Sequence, residues 1–374
     1  MKIIFLGNQA DTLVRFRKEL ILELAKSGHE VILSTPKPSD EMIRNIKSLG
    51  CNYVPMKMNR TGINPFHDIL TIIDIFKNLK QNKPDLLFSF TIKPVIYGGV
   101  AARLLGMRNC YSMITGAGWV FTGNSIMQKL TRTLVRILYR FSLGYYRTVF
   151  FLNSDDREMF INQNCLADKE KAFLIPGEGV NLTEFPYTPI SHDSLTFLFV
   201  GRLLRDKGAM EFANAAKILK KRYPNAKFEM LGPLDSNPAR LDPNLLQELI
   251  KDKTLEYLGE TIEVQPFLVR CSVFVLPSYR EGAPRATMEA MAMGRPIVTT
   301  DAPGCRDTVV EGKNGFLVPV KNTDALVNAM ERFLLDSSLA TRMGVESRKI
   351  AEDRYDVKKI NKKIFEQLGL DYRG

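Results

Sequence analysis

Two doubly wound α/β domains in tandem, each a parallel sheet with helices on both faces, are the fold class that the sequence predicts. Three observations carry that expectation. Short apolar runs alternate with amphipathic runs of helical period through the first half. The pattern breaks at a proline-containing polar link, Phe185-Pro-Tyr-Thr-Pro-Ile-Ser-His-Asp193, and the same alternation then begins again. Repeated βα units produce this rhythm, and 374 residues leave room for two ordinary cores.

The strands come first. Lys2-Ile-Ile-Phe-Leu6, Glu30-Val-Ile-Leu-Ser34, Asn52-Tyr-Val-Pro-Met56 and Leu86-Leu-Phe-Ser-Phe90 read as strands, as do Cys110-Tyr-Ser-Met-Ile114, Thr148-Val-Phe-Phe-Leu152 and Ala172-Phe-Leu-Ile175. Helical period fills the gaps at 13–27, 39–49, 65–82, 94–105, 125–146 and 155–164. After the link, strands are predicted at 196–200, 227–231, 255–258, 272–276, 296–300 and 315–318. Helices are predicted at 209–222, 241–252 and 324–335. The domains expected are 1–187, 188–355, and a C-terminal helix in 356–374 packing back on the first. Ligands of such sheets sit at the carboxyl ends of the strands, so a site shared between the domains is expected to be a cleft.

Composition is that of a globular chain, 45% apolar and 25% charged. Five cysteines stand far apart without a CxxC, and His29, His67 and His192 are scattered. Local spacing therefore assembles no zinc site and no disulfide framework, and a reducing cytoplasm is the expected compartment. The apolar start Ile3-Ile-Phe-Leu6 is too short for a secretory signal. Residues 109–128 carry no charge over a length that can span a bilayer. Three glycines and two asparagines interrupt them, so strand plus loop is expected there. Net charge is +11, and no acid occurs from Leu86 to Ser154, where eight basic side chains do. So one-sided a stretch is expected to meet something anionic.

The chemistry-bearing motif is Glu281-Gly-Ala-Pro-Arg-Ala-Thr-Met-Glu289, between the strand candidate Ser272-Val-Phe-Val-Leu-Pro-Ser278 and a helix closed by Gly294. A strand turning through Gly282, Ala283 and Pro284 into a helix presents free N–H groups to an anion. Pro284 fits the first helical position, which leaves the N–H groups of Arg285 and Ala286 for a phosphate. Two carboxylates bracketing that position suit a nucleotide diphosphate sugar, with hydroxyls at both ends. A second frame, Gly201-Arg202-Leu-Leu-Arg-Asp-Lys207-Gly208, leaves a strand end on one loop, so Arg202 and Lys207 are expected to reach the same phosphates. No acidic pair stands at a strand end to hold magnesium, so these cations and the helix dipole are expected to stabilise the leaving group without metal or cofactor.

The glycine loops of the first half are weaker signals. Gly7-Asn8-Gln9-Ala10 is not a dinucleotide fingerprint, and Thr115-Gly116-Ala117-Gly118 follows a strand end. Both are expected to face the cleft, with a plain tight turn as the equal alternative. Within Ser125–Arg147, Arg132, Arg136 and Arg140 recur at four-residue spacing among Leu130, Leu134, Ile137, Leu138 and Phe141. A basic amphipathic helix of this kind reads as a membrane-surface contact, and a core-packed helix with a solvated basic face is the alternative. No aromatic–basic interleaving supports nucleic acid.

Over essentially its whole length the chain resembles the family 4 retaining glycosyltransferases of the GT-B fold. The resemblance rests on Gly201-Arg202…Lys207-Gly208, Phe274-Val-Leu-Pro-Ser278, Glu281 with Glu289, and Gly28-His29-Glu30-Val31. Phe16-Arg17 and Thr115-Gly116-Ala117-Gly118 are similar to enzymes building capsule or O-antigen units on undecaprenyl diphosphate. The resemblance implies that Arg202 and Lys207 hold the donor diphosphate, Glu281 the sugar hydroxyls, Glu289 the ribose, and Gly259 and Ile262 the base. It places the acceptor near Gly7, Asn8, Arg17, Thr115 and Gly116. Many relatives carry histidine where Thr115 stands, and this chain does not.

The reaction so implied moves a hexosyl or N-acetylhexosaminyl group, with retention, from a nucleotide sugar such as a UDP-sugar to a lipid-linked saccharide. It would take place at the inner face of the plasma membrane. Catalytic roles fall to Glu281, Lys207 and Arg202. A sugar-nucleotide 2-epimerase and a catalytically inactive, basic membrane-peripheral protein are the alternative readings.

Overall fold

The computed structural model describes residues 1–59, 64–118, 121, 126–190, 195–235 and 237–373. Ser125, His192 and parts of the 109–128 and 185–193 segments lie outside the described residues.

The first sheet has seven parallel strands: β1 (Lys2–Leu6), β2 (Glu30–Thr35), β3 (Asn52–Pro55), β4 (Leu86–Phe90), β5 (Cys110–Ile114), β6 (Thr148–Phe151) and β7 (Ala172–Leu174). Their order is β3-β2-β1-β4-β5-β6-β7. The second has six parallel strands: β8 (Thr196–Val200), β9 (Lys227–Leu231), β10 (Glu256–Tyr257), β11 (Val273–Leu276), β12 (Ile297–Thr300) and β13 (Gly315–Val318). These run β10-β9-β8-β11-β12-β13. Each order reverses once, between β1 and β4 and between β8 and β11. At such a switch point the loops leaving neighbouring strands part, and a crevice opens outside their carboxyl ends.

By its contacts the chain divides into Met1–Glu178 with Lys358–Gly374, and Gly179–Val357. The division precedes the 185–193 link because Val180, Phe185 and Ile190 already belong to the second core. The Val180 N–H donates to the Tyr355 carbonyl at 2.8 Å, tying the start of this unit to its end. The central strands are buried along their full length, and so read as unbroken apolar runs. In the first unit Phe5, Phe88 and Phe90 stack as an aromatic layer. Helices cover the sheets; Pro65–Asn82 is capped by the Asn64 side chain, and Asp40–Ser48 by Ser39. Gln265–Arg270 and Ser337–Ile350 are helices that the sequence reading omitted, and the C-terminal helix is Val357–Leu368.

Helix Ile126–Leu143 packs on the Ile92–Leu105 helix and buries Val135, Tyr139 and Leu143. Its outward stripe is apolar: Leu130, Leu134, Ile137 and Phe141 are 68%, 47%, 61% and 47% exposed. The helix is thus core-packed on one side, and its outer face carries this apolar stripe beside the exposed Lys129 and Arg140. Its three arginines do not act alike. Arg136 is half-buried, its Nε donating to the Gln163 carbonyl at 2.7 Å, while Arg140 is exposed.

No helix among the described residues is long and apolar enough to cross a membrane. All five cysteines are free and buried. Burial pushes the thiols of Cys51 and Cys165 up to about 11 and those of Cys110, Cys271 and Cys305 to about 12.

Candidate active site

β8 and β11 are hydrogen-bonded neighbours at the second sheet's switch point, and both sequence motifs leave their carboxyl ends. From β8 the chain passes through Arg202 into a single 3-10 turn, Arg205–Lys207, then into the Ala209–Arg222 helix. Gly208 joins them at φ +73, and a Cβ there would lie 2.1 Å from the Pro277 carbonyl oxygen. The glycine of this frame is thus required by the approach of the β11 loop. That loop is fastened back: the Tyr279 N–H and the Ser278 hydroxyl both donate to the Asp206 carbonyl, at 2.8 and 3.1 Å.

This bracing brings Lys207 to Glu281. Lys207 Nζ lies 2.5 Å from Glu281 Oε1, with the side chains only 21% and 12% exposed. The Glu281 N–H donates to the Pro303 carbonyl at 2.9 Å. Gly304, at φ +74, lies so close that a Cβ would stand 2.3 Å from the Glu281 carbonyl oxygen. The Cys305 thiol sits beneath the same loop, its acidity suppressed by burial and further by the Glu281 charge.

Arg202 takes a different partner, half-exposed and 3.4 Å from Asp235. The helix after Glu281 spans Arg285–Ala292, so Pro284 is its N-cap and not its first residue. The Pro284 carbonyl accepts from the Thr287 and Met288 N–H groups, so the third amide of the first turn is already engaged and an anion would meet the turn ahead of it. Glu289 is buried and oriented by Arg285, whose Nε donates to Oε1 at 2.8 Å. Gly282 and Ala283 are half-buried between the two carboxylates. Gly259 turns at φ +75 and accepts the Gly232 N–H at 2.8 Å, while Ile262 nearby is 83% exposed.

Sequence reasoning missed a second pair. Tyr279 Oη donates to Glu211 Oε1 at 2.6 Å, linking the β11 loop to the helix that follows Lys207. Burial, then the bond to Glu211, raises the Tyr279 pKa, so the phenol stays protonated and donating. The pairing spans 68 positions and leaves no local pattern. Tyr279→Phe should cost about 1.5–3 kcal/mol of stability, as expected for a hydrogen bond to a carboxylate. It should also slow turnover by loosening the Lys207 turn, and urea unfolding with steady-state rates measures both.

In the first unit Gly7 and Asn8 follow β1, and Thr115 and Gly116 follow β5, all at strand carboxyl ends. Arg17 is committed elsewhere. It is 6% exposed, its Nη1 lies 2.6 Å from a Glu178 carboxylate oxygen, and its guanidinium covers the Phe90 ring at 4.8 Å. Thr91, which no sequence motif singles out, follows β4 at the switch point with φ +69, and its buried hydroxyl has no partner among the described residues. Such backbone strain concentrates at functional sites. Among the described residues no three His, Cys, Asp or Glu side chains gather to hold a metal ion.

The comparisons agree with this architecture. Residues 182–350 match the family described as glycosyl transferases group 1, and residues 2–150 match glycosyl transferase 4-like. An uncharacterized glycosyltransferase of Haemophilus influenzae is 30% identical over 349 residues, 90% of each chain. The N,N'-diacetylbacillosaminyl-diphospho-undecaprenol alpha-1,3-N-acetylgalactosaminyltransferase of Campylobacter jejuni is 27% identical over 352 residues, 91% of each chain. Anabaena HepE, solved with UDP and glucose, superposes with TM-score 0.80 at 17% identity over 99% of each chain. These matches lend no support to the epimerase or the inactive-protein alternative. The fold is GT-B, and the chain belongs to the family 4 glycosyltransferases.

Proposed function

We propose that this transferase moves a hexosyl or N-acetylhexosaminyl group, with retention and without a metal ion, from a UDP-sugar to a polyprenyl-diphosphate-linked saccharide in surface polysaccharide synthesis. The observation that carries the reading is the Lys207–Glu281 pair over the switch point of β8 and β11. Donor diphosphate entering there draws Lys207 onto its oxygens and releases Glu281 to accept sugar hydroxyls. Arg202 adds a second cation at small cost, since its pair with Asp235 is half-exposed. The first-turn amides after Pro284 complete the anion site, Glu289 takes the ribose, and Gly259 and Ile262 border the base.

The anomeric carbon's bond to the diphosphate oxygen breaks as its bond to the acceptor oxygen forms. The acceptor proton passes to the departing phosphate oxygen on the same face, which preserves the configuration. Positioning and charge stabilisation supply the rate.

Two relatives support the lipid-linked acceptor: the Campylobacter enzyme, and an Escherichia coli enzyme named UDP-Gal:alpha-D-GlcNAc-diphosphoundecaprenol alpha-1,3-galactosyltransferase, 28% identical over 291 residues. In this reading the first unit receives the acceptor near Gly7, Asn8, Thr115 and Gly116, with Arg17 shaping the site through its ion pair. The Ile126–Leu143 helix meets the anionic inner face of the plasma membrane through Lys129 and Arg140, both exposed.

The test is UDP release dependent on a synthetic polyprenyl-diphosphate sugar, with NMR of the product's anomeric configuration. Epimerised nucleotide sugar, or an inverted linkage, overturns the reading. Glu289→Ala should weaken UDP binding about tenfold or more by calorimetry, the worth of a charge-assisted hydrogen bond. An unchanged dissociation constant removes its ribose role.

A further inference from the structure

We propose that the Pro65–Asn82 helix inserts apolar side chains into the lipid layer and, with the outward stripe of Ile126–Leu143, forms one two-helix membrane-docking surface on the first unit. The inference rests on the lipid-linked acceptor reading and adds to it a hydrophobic contact separate from the basic one.

Phe66, Ile69, Leu70 and Ile73 are 69%, 57%, 46% and 43% exposed. Their spacing places them on one helix face, opposite the buried Thr71, Ile75 and Leu79. An apolar stripe this continuous is uncommon on the surface of a soluble chain. The second stripe stands on the same layer, because both helices pack against the Ile92–Leu105 helix between them.

Charge decides the occupant. The acids on Pro65–Asn82 are already engaged: Asp68 accepts from Lys93 Nζ at 3.1 Å, and Asp74 from the Lys57 N–H at 2.7 Å. From Leu86 to Ser154 no acid exists at all. Lys129 and Arg140 are exposed beside the second stripe, and the Arg103 guanidinium lies 4.3 Å over the Phe141 ring. Apolar side chains on both helices, flanked by cations on the second and with the acids of the first already paired, match the headgroup boundary of an anionic bilayer.

Direction agrees as well. Each helix follows a strand and runs back antiparallel to it, so each begins toward the edge where the strands end. Phe66 therefore lies toward the same edge as Gly7, Asn8, Thr115 and Gly116. A lipid-borne saccharide would emerge from the bilayer beside the residues assigned to it.

The experiment is flotation of the full chain with phosphatidylcholine vesicles, with and without phosphatidylglycerol, at low and high salt. Phe66→Ser with Leu70→Ser should lower the partition coefficient about tenfold at both salt concentrations, because apolar insertion is not screened. Lys129→Gln with Arg140→Gln should weaken only the low-salt binding to anionic vesicles. Leu335→Ser, at a 73% exposed position of the second unit, should change nothing. Phe66→Trp should show blue-shifted difference emission, quenched by brominated lipid.

If the serine pair binds like wild type while the glutamine pair is impaired, the insertion is refuted and the electrostatic contact stands. Wild type failing to float on any vesicle refutes both. A concentration-dependent dimer abolished by the serine pair assigns the surface to a second copy of the chain and overturns the proposal.

Discussion

Lys207→Ala should reduce kcat by about 10²- to 10³-fold, the loss typical of removing one preorganised stabiliser of developing negative charge. The size follows from the setting. Lys207 and Glu281 are both largely shielded from water at 2.5 Å, where a charge counts for more than at a surface. Arg202→Ala, removing a half-exposed cation with its own partner, should cost less. Deleting Lys207 also strands the Glu281 carboxylate, so stability should fall by about 1–3 kcal/mol. Lys207→Ala combined with Glu281→Gln should be less destabilised than the two single changes added together. Steady-state transfer rates and urea titrations measure these effects. A kcat for Lys207→Ala within twofold of wild type would show that the diphosphate is neutralised elsewhere.

Gly304→Ala should be strongly damaging, because it strikes the loop that carries the charged pair. Positive φ costs an L-residue roughly 1–3 kcal/mol, and the new Cβ would meet the Glu281 carbonyl oxygen at 2.3 Å and that of Gly282 at 2.9 Å. Backbone cannot swing aside as a lysine tip can, so overpacking adds about 1–3 kcal/mol more. The loop that yields is the one carrying Glu281. Turnover should therefore drop even in the folded fraction, and UDP affinity with it. Thermal unfolding and single-turnover rates are the measurements, and wild-type values for both would contradict the close approach of Gly304 to the Glu281 loop.

Much of this architecture could be read from one chain because buried parallel strands declare themselves. Lys2–Leu6, Leu86–Phe90, Cys110–Ile114, Lys227–Leu231 and Gly315–Val318 fall where their apolar runs begin and stop. Pro65–Asn82 and Ala209–Arg222 do likewise, one opened by a proline and the other preceded by Gly208. Gln265–Arg270 spans too few residues to show a period. Ser337–Ile350 follows another helix after Asp336 alone, with no glycine or proline between them to mark a break. Within the site, strand ends announced Lys207 and Glu281, but pairing across distance did not show. Arg17 with Glu178, Arg202 with Asp235 and Tyr279 with Glu211 are each set by tertiary packing. The outward turn of Leu130 and Phe141 had the same origin, since amphipathic period reveals two faces without saying which one meets the core.

The cysteines have a practical consequence. With every native thiol enclosed and hard to ionise, alkylating reagents should ignore the folded chain. One cysteine engineered on its surface would then be the single addressable position for a dye or spin label. On warming, Cys51, Cys110 and Cys165 would clock the opening of the first unit, and Cys271 and Cys305 that of the second. Mass spectrometry of the alkylated peptides would time the two separately.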